Sequence, residues 1–305
     1  MAALELPLLR ESPSRVSASH SLWRFCGRDF SQPEMQWIQS LVAGSELNRS
    51  QLARQVCEQL DWINPAGQLK AMSCRVAMLR MERAGLIRLP KPTHRDSNGC
   101  RHPLPRLIWP PQRLADPNVL GRESLRLERV DNSQARRWYQ ALMEQHHYLG
   151  YTPLAGAQLR YLIWQGHELA GGLGFGAAAW SIAPRDQWIG WTAGQRQRQL
   201  HRVVNNNRFL ILPWMRVPNM GSRVLSQVAR QLPHDWQERY GYQPVLLESF
   251  VDQERFSGRS YRAANWLCVG QTQGRGKLEK HHRRIVPIKW IFLYPLCTGF
   301  RSLLS

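Results

Sequence analysis

The chain has 305 residues, in which 41 lysines and arginines oppose 22 aspartates and glutamates, for a formal net charge of +19 and a pI near 10.6. Such an imbalance brings self-repulsion to a compact protein and calls for an anionic partner, with nucleic acid the first expectation and an anionic membrane surface the plainer rival. No apolar run reaches the ~18 residues of a spanning helix, and "LAGGLGFGAAAW" is too short and too rich in glycine.

Cys26, Cys57, Cys74, Cys100, Cys268 and Cys297 show no Cys-x-x-Cys spacing. That argues against a zinc ribbon and against a secreted disulfide framework. With no signal-peptide order at the N-terminus, a cytoplasmic protein with reduced thiols is expected. The excess of positive charge is mostly arginine, the side chain suited to bidentate contacts with phosphates and bases.

Residues 1–30 mix Ser, Pro and Arg and read as a flexible arm. Residues 31–92 read as a winged helix-turn-helix. In "NRSQLARQVCEQLDW", Leu52, Val56 and Leu60 recur at helical spacing behind Asn48 or Ser50 as cap. "NPAG" at 64–67 is a turn. In the helix that follows, Leu69, Met72, Val76 and Leu79 make one apolar stripe, with Lys70, Arg75, Arg80 and Arg83 largely off it. Gly85 stops this helix, and "LIRLP" reads as a short strand. A plain helical hairpin with a solvated basic face is the alternative.

Residues 93–122 are rich in Pro, Asn, Gly and Ser and read as a linker. From there to residue 305 strands and helices alternate around a mixed sheet, so that the whole chain is expected to be α+β. "SLRLERV" is a strand, and "SQARRWYQALMEQHHYLG" a helix ending at Gly150, with Trp138, Leu142 and Tyr139 inward. "QLRYLIWQGHELAGGLGFGAAAW" is a hairpin turning at Gln165-Gly166. A polar helix over about 193–206 precedes the strand "RFLILPWM", the long helix from "NMGS", the strand "QPVLLESFV", the short helix "GRSYRAAN" and the strand "WLCVGQT". "IVPIKWIFLYPL" adds an edge strand.

That element order resembles the GCN5-related acetyltransferase fold, whose last quarter matches "LLESFV", Tyr261 with "RAAN", and "WLCVG". The chain resembles more closely the family of the Druantia anti-phage protein DruA, whose relatives lie beside or within transposases. The segments that carry this are "HHYLG", "QWIGW", "NRFLILPW", "ESFVDQERFSGRSYRAANW" and "GQTQGRGK". A further, positional likeness is to phage DNA-modification proteins similar to Mom, in the His147-Tyr148 pair and in Asp252 followed by Tyr261. The acetyltransferase pattern needs a glycine pair at a helix start to cradle a pyrophosphate, whereas "RVPNMGSRVL" offers only Gly221. Coenzyme A is therefore not expected.

Glu248 and Asp252, four apart on one strand, should share a face. With His147 they could hold a divalent metal or divide acid and base work, with Tyr148 and Tyr261 beside a flipped base. The plainer readings are that Glu248 pairs with Arg208 or Arg216, that Asp252 caps a turn, and that His147 ends its helix. Both tyrosines would then be core residues. Asn265 suits adenine recognition or a helix C-terminus. Arg196, Arg198 and Arg202 form one basic track, and Arg275, Lys277, Lys280, Arg283 and Arg284 a second on a glycine-rich loop.

Two function classes follow. One is a DNA-modifying or metal-assisted DNA-processing enzyme acting on duplex or partly single-stranded DNA, in a mobile-element or anti-phage setting. The other is a non-catalytic DNA-binding adaptor for a transposase or helicase, with an acyltransferase as a third possibility.

Overall fold

The computed structural model describes residues 23–92, 124–274 and 286–305. The chain divides into two compact units, Met1–Gly99 and Cys100–Ser305. Among the described residues, no helix is long and apolar enough to cross a membrane.

The first unit begins with a hairpin, β1 (Trp23–Phe25) and β2 (Arg28–Phe30). Both turn residues, Cys26 and Gly27, have positive φ, the backbone that two-residue hairpins favour. The expected arm therefore stops short of residue 30: Phe30 is buried, edge-on to Trp62 at 5.6 Å. Helix α1 (Gln32–Gly44) starts from a Ser31–Glu34 capping box, and α2 (Arg49–Gln59) from an Asn48–Gln51 box. Each box satisfies two helix-end donors reciprocally. Helix α3 (Ala71–Arg83) follows, and Gly85 in a left-handed conformation ends it as expected.

Two expectations fail here. The strand read at "LIRLP" does not form, so no wing follows α3 among the described residues. The buried face of α3 is Cys74, Ala77, Met78 and Met81, while Met72 is 69% and Val76 40% exposed. Both stripes repeat at helical spacing, so periodicity alone does not choose between them. The small side chains Cys74 and Ala77 lie in one core with Leu52, Ala53, Val56 and Cys57 of α2. Of the other stripe, Met72 and Val76 face water, while Leu69 and Leu79 are partly buried against the same core.

The second unit is a seven-stranded mixed sheet in the order β3-β4-β5-β6-β7-β9-β8. Its strands are β3 (Leu125–Arg129), β4 (Gln158–Gln165), β5 (Glu168–Ala177), β6 (Val203–Ile211), β7 (Leu246–Asp252), β8 (Leu267–Gln271) and β9 (Lys289–Pro295). The helices between them are α4 (Ser133–His146), α5 (Ala183–Ile189), α6 (Ala193–Gln199), α7 (Met220–Tyr240) and α8 (Arg259–Ala263), and α9 (Phe300–Leu304) closes the chain. This is the expected α+β order, with α5 and the early start of β6 as additions. β9 is not at the edge: Ile291, Phe292 and Leu293 are fully buried and it pairs with both β7 and β8. A strand buried on both faces belongs inside a sheet.

The glycines of β5 set how closely α4 packs. A Cβ at Gly174 would lie 2.5 Å from the Tyr139 hydroxyl, and one at Gly172 2.8 Å from Met143 Cε. The run that looked too glycine-rich for a membrane is thus a thin strand face under a helix.

Among the described strands only β6 and β7 pair in parallel, from Val203↔Leu246 to Asn206↔Ser249. Beyond that point β6 continues against β5, and β7 continues against β9 as far as Asp252↔Lys289. The two strands splay apart, and the wedge between them holds the site.

Candidate functional site

A cavity of ≈ 450 Å³ opens at this wedge. It brings together His147 and Tyr148 from the end of α4, Asp252 from the end of β7, and Tyr261 from α8. Sequence separation of more than a hundred residues is closed by the sheet. The other charged side chains of its lining are Arg208, Arg259 and Lys289.

Glu248 does not join them. It is 0% exposed, and Arg185, equally buried, donates to its Oε2 at 2.8 Å. The Ala179 N–H and the Asn205 amide donate to its Oε1 at 2.8 and 3.2 Å. Pairing with an arginine was one of the two readings, but the partner is Arg185 rather than Arg208 or Arg216. Wholly buried and absent from the cavity lining, with both oxygens engaged, this carboxylate is not presented to a cation or a substrate in the wedge.

The metal set of His147, Glu248 and Asp252 therefore does not form. Among the described residues, the group whose ligand atoms come together is His234, Asp235 and Glu238 on α7. There Arg129 takes Glu238 at 2.6 Å and Asp235 at 3.6 Å, and the Tyr161 hydroxyl donates to Asp235 at 2.8 Å. That is an ion-pair cluster.

Asp252 is nearly buried at the cavity wall. Its Oδ1 accepts from the Glu254 N–H at 3.1 Å, closing a local turn, and its Oδ2 is 3.7 Å from Arg255 Nε. Turn-capping and cavity-lining thus coexist in one carboxylate. Burial and the charge of Asp252 both push the Tyr148 phenol up. The Tyr148 ring stacks on His147 at 4.9 Å, meets Phe256 at 5.5 Å and lies under the Arg255 guanidinium at 5.2 Å. Phe256 is 48% exposed, so the mouth of the cavity carries an open aromatic surface.

His147 is the C-cap of α4. The helix dipole there favours a cation, but burial, reinforced by Arg208, lowers its pKa to about 4. It is neutral at pH 7. Its Nδ1 accepts from the Leu149 N–H at 3.2 Å, which leaves Nε2 as the protonated nitrogen.

Tyr261 has a fully satisfied hydroxyl. It donates to Asn206 Oδ1 at 2.6 Å and accepts from Ser249 Oγ at 2.9 Å. Burial drives its pKa up, against the effect of the Ser249 bond. Its ring stacks on Phe292 at 5.2 Å. It holds β6 to β7 where their ladder ends, and so shapes the wedge. Asn206 and Ser249 were not singled out from the sequence. Three consecutive asparagines in a strand are the signal that was available, because asparagine is depleted from strands.

Of the basic tracks, Arg75, Arg80 and Arg83 are exposed along α3, with Lys70 at its N-cap. Arg196 is tied to Asp186 at 3.1 Å and Arg202 donates to the Leu303 carbonyl at 2.9 Å, whereas Arg198 is exposed. Asn265 takes a left-handed conformation, φ 61°, directly after α8, the backbone of a helix stop. Arg275, Lys277, Lys280, Arg283 and Arg284 lie outside the described residues.

Solved structures similar to the chain include a Bacillus subtilis acetyltransferase in complex with CoA, at 10% identity and TM-score 0.36, covering 57% of this chain and 100% of that one. The ribosomal-protein-S18-alanine N-acetyltransferase from Escherichia coli matches at 8% identity and TM-score 0.36, covering 57% and 96%. An aminoglycoside acetyltransferase in complex with coenzyme A matches at 11% identity and TM-score 0.38, covering 60% and 100%. All three scores are below 0.5 and none bears on the reaction. No curated protein matches the sequence. The family model described as Druantia protein DruA matches residues 80–289, from the end of α3 to the first residue of β9, so that the splayed strands and every described wall of the cavity fall inside it, and the chain belongs to the DruA family.

Proposed function

We propose that the protein binds DNA and that the β6–β7 cavity modifies a base presented to it, in an anti-phage or mobile-element setting. The observation that carries this reading is the composition of the cavity. One nearly buried carboxylate, Asp252, lines a cavity whose other charged side chains are the cations Arg208, Arg259 and Lys289, with an aromatic surface at the mouth. Cations fit a polyanion, and Tyr148 with Phe256 offers faces on which a base can stack. Asp252 is the group of the cavity that can accept a proton from a base nitrogen, the general-base part of such a reaction. His147, neutral, donates from Nε2, and Tyr261 acts as a positioning residue through Asn206 and Ser249.

DNA reaches the protein, on this reading, through the outer face of α3. Its one acidic residue, Glu82, is turned to the Leu89 N–H and to Arg49. That leaves Arg75, Arg80 and Arg83 beside the exposed Met72 and Val76. Arginines suit phosphates and guanine edges, and apolar side chains suit thymine methyl groups. A divalent metal is not part of this reading: of its expected ligands Glu248 is held by Arg185, which leaves His147 and Asp252 in the cavity.

Coenzyme A is not expected as the donor. A Cβ at Gly221 would lie 2.4 Å from Ser260 Oγ. This glycine makes room for α8 rather than for a pyrophosphate.

The loss of Glu248 to a structural ion pair favours a second reading, an adaptor that binds DNA for a transposase or helicase without chemistry of its own. Mass spectrometry of nucleosides from cells expressing the wild-type chain separates the two. A modified nucleoside that disappears with Asp252→Asn is expected. Unmodified DNA in both, with equal DNA affinity, makes the adaptor the correct reading.

A further inference from the structure

A second cavity, of ≈ 310 Å³, is framed by α4, the start of β4 and the end of α7, with Tyr151 in its lining. Arg136, Arg160 and Arg239 line it, with Gln140, Gln158 and Tyr151. Its carboxylate, Asp131, is held at 2.5 Å by Arg129 and lies 3.6 Å from Arg239. Among the described residues, Arg136 and Arg160 have no carboxylate within 4.0 Å.

Arg160 is fixed before any ligand arrives. Its guanidinium sits 5.7 Å from the ring centroids of both Tyr139 and Tyr151, and it donates to Gln158 Oε1 at 2.6 Å. Gln140 in turn donates to the Tyr151 hydroxyl at 3.1 Å and holds that ring in place. A guanidinium oriented by two rings, half-buried and lacking a counter-charge, is organised for an oxyanion, and its planar fork matches two oxygens of a phosphate.

We propose that this cavity is a phosphate-binding site, distinct from the wedge, in which Arg160 is the oriented ligand and Arg136 and Arg239 close on the remaining oxygens. The phosphate belongs to a nucleic-acid backbone or to a soluble phosphorylated molecule. The geometry favours the backbone. Tyr148 lines the wedge cavity and Tyr151 lines this one, three residues on, a separation of at most ~11 Å between their Cα atoms. Arg208 of the wedge donates to the Gly150 carbonyl between them at 3.3 Å. On the reading of the wedge as a base site, a strand with one base in the wedge has a neighbouring phosphate within reach of these arginines.

The test uses the full chain and inorganic phosphate as probe, read by calorimetry, together with single-stranded DNA binding measured across salt concentrations. The variants are R136Q/R239Q, both exposed positions, and R160Q, each checked for an intact fold by circular dichroism. Phosphate affinity should fall at least tenfold in R136Q/R239Q. The slope of log K against log salt should flatten by about 0.7 for each backbone phosphate of a single strand that is no longer neutralised. A fall in phosphate affinity with an unmoved DNA slope assigns the site to a soluble phosphorylated molecule. Unchanged phosphate affinity in folded R136Q/R239Q overturns the site. If the wild-type chain binds no DNA, the proposed function fails while the phosphate measurement still decides this cavity.

Discussion

Arg185 Nη1, on α5, lies 2.8 Å from Glu248 Oε2, on β7, with both side chains wholly buried. Arg185 also donates to Asp186 and to the Ala179 carbonyl, so the pair anchors 179–186 to the middle of the sheet. Removing one member strands the other charge in the core, which costs about 3–5 kcal/mol. Glu248→Ala should lose stability on that scale in denaturant titrations. Replacing both, as Arg185→Leu with Glu248→Leu, should recover much of it. Native-like stability of Glu248→Ala alone would show the pair to be dispensable.

The fold was legible wherever a local pattern had one solution. Asn48, Gly85, the 165–168 hairpin and the β7-α8-β8 corner follow from capping, turn and alternation signals. The failures have a common cause, which is tertiary choice between patterns of equal local merit. α3 carries two apolar stripes, and its packing against α2 selects the one with the smaller side chains. β9 reads as an edge strand until the burial of Ile291, Phe292 and Leu293 places it inside the sheet. Asp252 and Tyr261, read from the strand-turn-helix unit, both line the cavity. Arg185 was not, because a lone arginine in "APRDQWI" carries no periodicity that announces a buried partner 63 residues away.

The stripe on α3 can be checked directly. Met72→Ser and Val76→Ser, both on the exposed face, should change stability by no more than ~0.5 kcal/mol. Met78→Ala, in the core, should cost ~2–5 kcal/mol. The reverse order would restore the other register.

The same face should hold DNA. Arg75→Glu with Arg83→Glu reverses two exposed charges and should weaken binding at least tenfold, about 1.4 kcal/mol. The residual binding should depend less steeply on salt. Full affinity in a folded variant would remove α3 from the interface.

His147 sets a pH dependence with a definite sign. Its folded pKa, lowered to about 4 by burial and by Arg208, lies below its ordinary value of 6.5. Above that value neither state holds the proton, and this contribution to stability is fully present. As pH falls from ~6.5 towards ~4 the unfolded chain takes up the proton first, so stability declines across that window. His147→Gln should remove this part of the decline. An imidazole resonance for His147 that titrates near 6.5 would sink the assignment, and with it the neutral donor proposed at the wedge.

Asp252 and Tyr261 should fail differently. Asp252→Asn removes the proton acceptor but no cation, so modification should vanish while DNA affinity stays within about twofold, ~0.4 kcal/mol. Tyr261→Phe withdraws the donor from Asn206 and the acceptor from Ser249, both buried. It should therefore lower stability by ~1–3 kcal/mol as well as activity. An Asp252→Asn variant that retains modification would end the base-chemistry reading of this carboxylate.

The start of α7 decides whether the wedge serves acyl transfer. Asn219 at the N-cap is left-handed, φ 55°, with no side-chain cap, and Gly221 follows it inside the first turn. A pyrophosphate approaching those amides needs a glycine-thin surface, yet the space over Gly221 is taken by Ser260, whose Oγ and Cβ would lie 2.4 and 2.9 Å from an added Cβ. Gly221→Ala should then destabilise the fold by ~1–3 kcal/mol through overpacking. Ser260→Gly, which clears that space, should restore stability to the double variant. Neither Ser260→Gly nor the wild-type chain should bind acetyl-coenzyme A in calorimetry. Micromolar affinity in the wild type would mean that the pyrophosphate finds another cradle, and the acyltransferase reading would displace base modification as the function of the wedge.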